Sequence, residues 1–365
     1  MRFSRISLFF TFFLCLTLNK VFAHCGCQIP LEGRAQENSI SSAPLLNSPT
    51  ASTLGKNHAS AGFTFTYLNF NEIPPQNAHE LHEQGRDIHG KRHEETYNIS
   101  AGYGILDDLD VYLVIPIVSK TFSQIDDHSS DEAQPESHEE KPEDDHHDES
   151  DHHESSNSEE THKHSSNIGR RQRASGFGDM RLLAKYRFWK KYFEAGLIAG
   201  IKFPTGATAN KSKDGSKYET ELQPGTGSWD GEFGLTISRN FKQRISVGSS
   251  FQYFLKGEGA QDLKLGDVFR YSLGSSIALR KLGKYPNANL SLELNHEWTL
   301  RDHSRTERRV FDSGGTAIFI TPGINAAVTK NISFFWAMPL PIYQNLGGEH
   351  EEIQFGMLAG INFYI

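Results

Sequence analysis

Three groups of residues in this chain have types and spacings that could do chemistry. The first is His24-Cys25-Gly26-Cys27. Cleavage after Ala23 would leave an α-amine, an imidazole and two thiols within four residues, a donor set that suits Cu(I) or Zn(II). The competing reading is a strained local disulfide formed in an oxidising compartment. The second group is the stretch from Asp126 to His164. It carries 16 Asp or Glu, two Lys and eight His: His128, His138, His146, His147, His152, His153, His162 and His164. Imidazole with carboxylate takes Zn(II), Cu(II) or Ni(II), and adjacent His pairs flanked by Asp give many overlapping sites rather than one fixed tetrahedron. The competing reading is a solvated acidic screen. Metal binding is the expectation for this stretch, with no cofactor required. The third group is a set of charges of both signs, Arg181, Lys185, Arg187, Glu194, Lys202, Glu232, Arg270, Glu293 and Glu297. Each falls on the polar side of an alternating segment, where it could line a conducting path or pair with others to fill it.

These charges sit in a repeated unit. From Gly176 to Phe203 two strands are joined by a tight turn at Lys190-Lys191. Leu182, Tyr186 and Phe188 share one face of the first, with Arg181, Lys185 and Arg187 on the other. Side chains alternate across a strand with period two, so each segment has one apolar side and one small or charged side. The same pattern recurs along residues 60–118 and 228–365, and the count comes to about 12 strands. Connections alternate between short turns of about two to six residues and long polar loops. That is the signature of an all-β, transmembrane, antiparallel up-and-down β-barrel, apolar outside and polar inside, with short turns and both termini in the periplasm. A soluble β-sandwich would need polar outer faces. Mean hydropathy is -0.52, and after the first two dozen residues there is no apolar run of the ~18 residues a spanning helix needs.

The organisation expected is as follows. Residues 1–23 form a cleaved secretory signal, with Arg2 and Arg5 ahead of an apolar stretch and Val21-Phe22-Ala23 at the cut. Phe22-Ala23-His24 does not fit a lipidation box ahead of Cys25. Residues 24–59, rich in Ser, Asn and Pro, form a flexible periplasmic tail, with a periplasmic partner conceivable there. Residues 60–365 form the barrel, interrupted by a disordered extracellular loop over 119–175. Within it, 126–164 has a charge of -14, against -8 for the whole chain.

A series of short motifs then resembles a known family. Gly178-Asp179, Lys202-Phe203-Pro204-Thr205-Gly206 and Pro224-Gly225-Thr226-Gly227-Ser228-Trp229-Asp230 come in order. Gly266-Asp267-Val268-Phe269-Arg270-Tyr271, Ser313-Gly314-Gly315, Thr321-Pro322-Gly323 and Leu340-Pro341-Ile342-Tyr343-Gln344 follow. The series is similar to the outer-membrane barrels grouped with the MetA pathway of phenol degradation, over 175–365 and more loosely over 60–118. The resemblance implies an outer-membrane, channel-like barrel of a Gram-negative bacterium, and no defined substrate. The expected function is a channel or transporter for small solutes, with membrane lipid, solutes and metal ions as partners and no nucleic acid. The alternatives are a metal-binding or structural surface barrel without transport, and a barrel-wall hydrolase built on His296. No catalytic residue is expected, because His296 has no serine two residues away on its face.

Overall fold

The computed structural model describes residues 47–71, 89–124, 170–213, 215–304, 313–347 and 352–365. They form a closed barrel of 12 antiparallel strands. In chain order these are β1 (Ala59–Phe70), β2 (His89–Leu106), β3 (Leu109–Gln124), β4 (Arg170–Phe177 and Arg181–Lys190), β5 (Glu194–Lys202) and β6 (Asp230–Phe241). There follow β7 (Ile245–Leu255), β8 (Val268–Ala278), β9 (Asn287–Thr299), β10 (Gly315–Ala327), β11 (Ile332–Ala337 and Leu340–Leu346) and β12 (Ile353–Tyr364). Each strand pairs with the next, and β12 closes onto β1 from Ser60↔Tyr364 to Phe70↔Ile353. Closure removes the unpaired edges that a strand would otherwise carry into lipid.

Burial follows the expected alternation. In β9, Leu290, Leu292 and Leu294 are exposed on the outer wall, while Asn289, Ser291, Glu293 and Asn295 are buried. Polar residues inside and apolar residues outside are the inverse of a soluble sheet packed on a core. Aromatic groups mark both ends of the outer wall. Tyr253, Phe269 and Trp298 stack in turn across β7, β8 and β9 at the long-loop end, with centroids 4.7 and 5.1 Å apart. Trp189 and Phe193 meet at the short-turn end.

Two strands are broken, each beside a proline. Pro116 in β3 has no N–H to donate, and opposite it β4 is interrupted at Gly178–Met180. Pro322 in β10 likewise faces the interruption of β11 at Met338 and Pro339. The outer half of β11 then pairs with β10 alone. Among the described residues no ladder joins Leu340–Leu346 to β12. Across that seam the Gln344 side-chain amide donates to the Ile353 carbonyl and accepts from its N–H, both at 2.9 Å.

Two expectations are corrected. Residues 119–124 and 170–175 are strand, not disordered loop: they extend β3 and β4 beyond the lipid-facing band. Here the pattern inverts, because the outer face meets water and the inner one needs a small core of its own. Arg171 and Arg173 are exposed, while Phe122 and Ala174 are buried with Tyr218 and Leu222. The second correction concerns the tail, whose residues 47–54 lie inside the barrel.

Candidate functional site

The inner half of the lumen, toward the short turns, is filled by the chain's own N-terminal segment. Asn47, Ser48, Ala51, Ser52, Thr53 and Leu54 are each at most 4% exposed. Ser, Asn and Thr read as tail by composition, but here their donors match carboxylates on the wall. Glu293 accepts from the Asn47 N–H at 3.0 Å and the Ser48 hydroxyl at 2.6 Å. Glu194 accepts from Ser52 at 2.9 Å, and Asp110 accepts from the Leu54 N–H at 2.9 Å. Leu54 buries its side chain among Tyr112, Leu183, Ile198 and Tyr364. The segment then turns out past Gly104, where an added Cβ would sit 1.9 Å from the Gly55 carbonyl oxygen. Only glycine lets the two backbones pass.

Charges beneath this plug are paired. Lys185 lies 4.0 Å from Asp110 with both side chains fully buried, and its ammonium sits 5.4 Å from the Tyr112 ring centroid. Arg187 bridges Glu194 at 3.0 Å and Asp108 at 2.7 Å. A single charge left alone in this setting would cost several kcal/mol, which is why they come in pairs. Asp108 is in the turn between β2 and β3. Burial would raise its carboxyl, but the hydrogen bonds from Lys190 and Arg187 outweigh that and hold it below the usual carboxylate range.

The outer half is open. A cavity of about 220 Å³ lies between the plug and the long loops. Phe70, Pro116, Val118, Phe254, Leu265 and Val268 give it apolar walls, and Arg181, Lys202, Lys256 and Arg270 line it with Asp179, Asp230 and Glu232. These charges are also paired. Lys202 is 3.0 Å from both Asp179 and Asp230, and Lys256 is 3.2 Å from Asp230. Arg181 pairs with Glu232, and Arg270 Nε donates to Glu297 at 3.0 Å. Three of the cations surround one ring, Phe254, with Arg270, Arg181 and Lys256 at 5.1, 5.7 and 5.9 Å from its centroid. The cavity reaches the seam between β11 and β12 at Gln344, Leu346 and Ile353.

One residue organises the mouth. Asp179 points inward from the break in β4. Its Oδ1 accepts from the Gly206 N–H at 2.8 Å. Its Oδ2 accepts from the Thr226 N–H and hydroxyl, both at 2.8 Å, and from Lys202 at 3.0 Å. Gly206 and Gly225 lie back to back, since a Cβ on either would fall 2.6–2.7 Å from the other's Cα. The motifs at 178–179, 202–206 and 224–230, scattered along the sequence, thus meet in one polar knot that folds the loop after β5 over the lumen.

Every lumen charge named from the sequence therefore faces inward, in an inner and an outer group. The sequence reading missed their partners Asp108, Asp110, Asp179, Asp230 and Lys256, the plug, and Phe254. Phe254 had a signal, as an aromatic on the face of β7 that otherwise carries Ser246, Gly248, Ser250 and Gln252. His296 sits on the wall with its Nε2 2.8 Å from the Thr316 hydroxyl. Ser228 is 3.1 Å from Lys202, whose ammonium also lies 3.0 Å from both Asp179 and Asp230. His24, Cys25, Cys27 and the histidines of 126–164 lie outside the described residues, as does the signal stretch. Among the described residues no group of three or more His, Cys, Asp or Glu is placed to hold a metal.

The family described as "Putative MetA-pathway of phenol degradation" matches residues 152–339. The chain belongs to this family. Among solved structures, the COG4313 outer membrane channel from Pseudomonas putida F1 shares the fold, with a TM-score of 0.54 at 11% identity, over 86% of this chain and 97% of that one. The toluene transporter TbuX of Ralstonia pickettii (TM-score 0.37, 8% identity, 85% and 90% covered) and a FadL homologue of Pseudomonas aeruginosa (0.37, 12%, 90% and 94%) are more distant barrels. No curated protein matches the chain. The fold is that of the outer-membrane β-barrels, as the MetA-pathway resemblance implied.

Proposed function

We propose that this MetA-family barrel is an outer-membrane channel that receives small, largely apolar solutes from outside in its outer cavity. The observation that carries the reading is the division of the lumen: an open, mostly apolar-walled chamber above, and a segment of the same chain filling the space below. A solute in the chamber has two ways on. It displaces residues 47–54, or it leaves sideways at the seam, where no ladder joins the described outer half of β11 to β12 and the Gln344 side chain spans the gap. The seam is the less costly route, because it breaks the few hydrogen bonds around Gln344 whereas plug release breaks many and exposes Leu54. The family's association with phenol degradation makes a phenol-sized solute the first to test. Purified protein in liposomes should pass phenol and exclude a sugar of similar size. Equal flux of both, or of neither, overturns the reading.

The stretch from Asp126 to His164 supports a further role of metal capture at the outer face. Imidazoles with pKa near ~6.5 are mostly neutral at pH 7 and free to coordinate. A peptide of these residues titrated with Zn(II), Cu(II) or Ni(II) should bind more tightly than its His-to-Asn version, and less tightly at pH 5 than at pH 7. Equal binding by the two peptides removes this role and leaves the channel reading untouched.

A further inference from the structure

The short-turn end of the barrel carries a charge pattern that passage through the lumen does not use. The hairpin turns after β4, β6, β8 and β10 follow one another around the rim. The first carries Lys190 and Lys191, and the second Arg239, Lys242 and Arg244. The third carries Arg280, Lys281 and Lys284, and the fourth Lys330. Over 190–193, 239–244, 279–286 and 328–331 there are nine cations and no carboxylate. All nine are exposed. Among the described residues the solvent-accessible carboxylates at this rim lie in the turn after β2, where Asp108 holds Lys190 at 2.9 Å.

The depth of this arc is fixed by what lies beside it. Trp189, Tyr192, Phe193 and Phe241 are exposed on the outer wall at the same level. Aromatic rings at the end of the apolar band mark the headgroup zone of a membrane barrel. Lys191 sits 5.6 Å over the Tyr192 ring and Arg239 4.9 Å over Phe241. Cations stacked on lipid-facing rings are held at the height of lipid phosphates rather than out in the aqueous phase. The second and third turns are also tied together, the Ala278 N–H donating to the Arg244 carbonyl at 2.7 Å and the Leu282 N–H to the Gln243 carbonyl at 3.0 Å. This makes one platform for six of the cations. Within it Lys242 and Gln243 take left-handed backbone at φ 51° and 54°, a turn that glycine or asparagine would occupy with less strain.

We propose that this rim is a binding surface for anionic phospholipid, gripping phosphate headgroups of the periplasmic leaflet on which the short turns of such barrels rest. The surface attracts by charge, so the grip weakens with salt. An acidic soluble partner fits less well, because the cations stacked on Tyr192 and Phe241 are tucked among headgroups where such a partner cannot reach them.

The test reconstitutes the full-length protein in phosphatidylcholine bilayers containing spin-labelled phosphatidylglycerol or spin-labelled phosphatidylcholine, and compares the immobilised fractions. The expected result is a several-fold preference for phosphatidylglycerol that falls as salt is raised. It should be lost in a variant carrying Lys242→Gln, Arg244→Gln, Lys281→Gln and Lys284→Gln. It should persist in a control carrying Lys211→Gln, Lys213→Gln and Lys217→Gln on the loop at the opposite end. Equal association of the two lipids with the native protein overturns the proposal. So does a preference that survives the rim variant, or one that is insensitive to salt. The salt series on the native protein decides the matter even if the fourfold variant does not fold.

Discussion

In the inner half of the lumen Glu293, Glu194 and Asp110 accept hydrogen bonds from residues 47–54 of the same chain. In the outer half Asp179, Asp230 and Glu232 accept them from lysine and arginine of the wall. Both halves hold buried carboxylates and wall cations that pair with them, and the difference is that the inner carboxylates also accept from a threaded segment. Pairing wall to wall leaves the centre free and gives a chamber. Pairing wall to a threaded segment gives a stopper. On the channel reading proposed above, resistance to straight passage concentrates at the plug while solute selection belongs to the chamber.

The sharpest way to break this comparison is to remove the stopper. Excision of residues 47–55 should raise single-channel conductance in planar bilayers several-fold, with the barrel still folded. An unchanged conductance would mean that the outer chamber, and not the plug, limits flow. Next in size is Lys185→Met. It strands the Asp110 carboxylate, which is fully buried and also holds the Leu54 N–H. A loss of about 3–5 kcal/mol is expected. Urea titration read by the electrophoretic shift between folded and unfolded barrel measures it, and a loss too small to detect would show that Tyr112 and water suffice for Asp110.

The fold was legible because a wall between lipid and a polar lumen imposes period-two alternation, and strand after strand obeys it. The legibility ended where the wall leaves the lipid. At Phe122, Arg171 and Arg173 the sense of the alternation reverses, so the strand tips read as loop. The lumen charges were legible one by one, as at Lys185 or Glu293, but their partners were not, since pairing depends on shear around the barrel. The plug was least legible of all. Residues such as Ser48, Ser52 and Thr53 have the composition of a free tail, and only the carboxylates waiting inside distinguish them from one. The motif at Gly178-Asp179 gave a family without a reason; the reason is the knot at the mouth.

That knot sharpens the comparison from the other side. Asp179→Ala removes the acceptor of the Gly206 and Thr226 amides and of one Lys202 contact, while Lys202 keeps Asp230. Hydrogen bonds to a charged group of this kind are worth about 1.5–3 kcal/mol. We expect a loss of about 2 kcal/mol in the same urea assay. Solute entry should change while the ion conductance set by the plug stays close to native. Altered conductance with unaltered solute entry would reverse the roles assigned to the two halves.

The smallest effect comes from Asp108, at the edge of the inner half. It ties Arg187 and Lys190, and Arg187 in turn holds Glu194 against the plug's Ser52. Its carboxyl is held below the usual range by those two cations. A carboxylate with a depressed folded pKa adds stability above its unfolded value of ~3.9, and that contribution disappears as pH falls through the lower folded value. Asp108→Asn should therefore unfold more readily than the native chain at pH 7, by no more than about 1 kcal/mol because Asp108 and Lys190 are partly open to solvent. As pH is stepped down past the carboxylate range the two proteins should converge, since the native Asp108 becomes neutral as well. Thermal unfolding followed by the same electrophoretic shift, at a series of pH values, reads the gap. A gap that persists undiminished at the acid end would show that Asp108 acts through its shape in the turn rather than through its charge on Arg187, and that the plug's hold on Glu194 does not depend on this outer link.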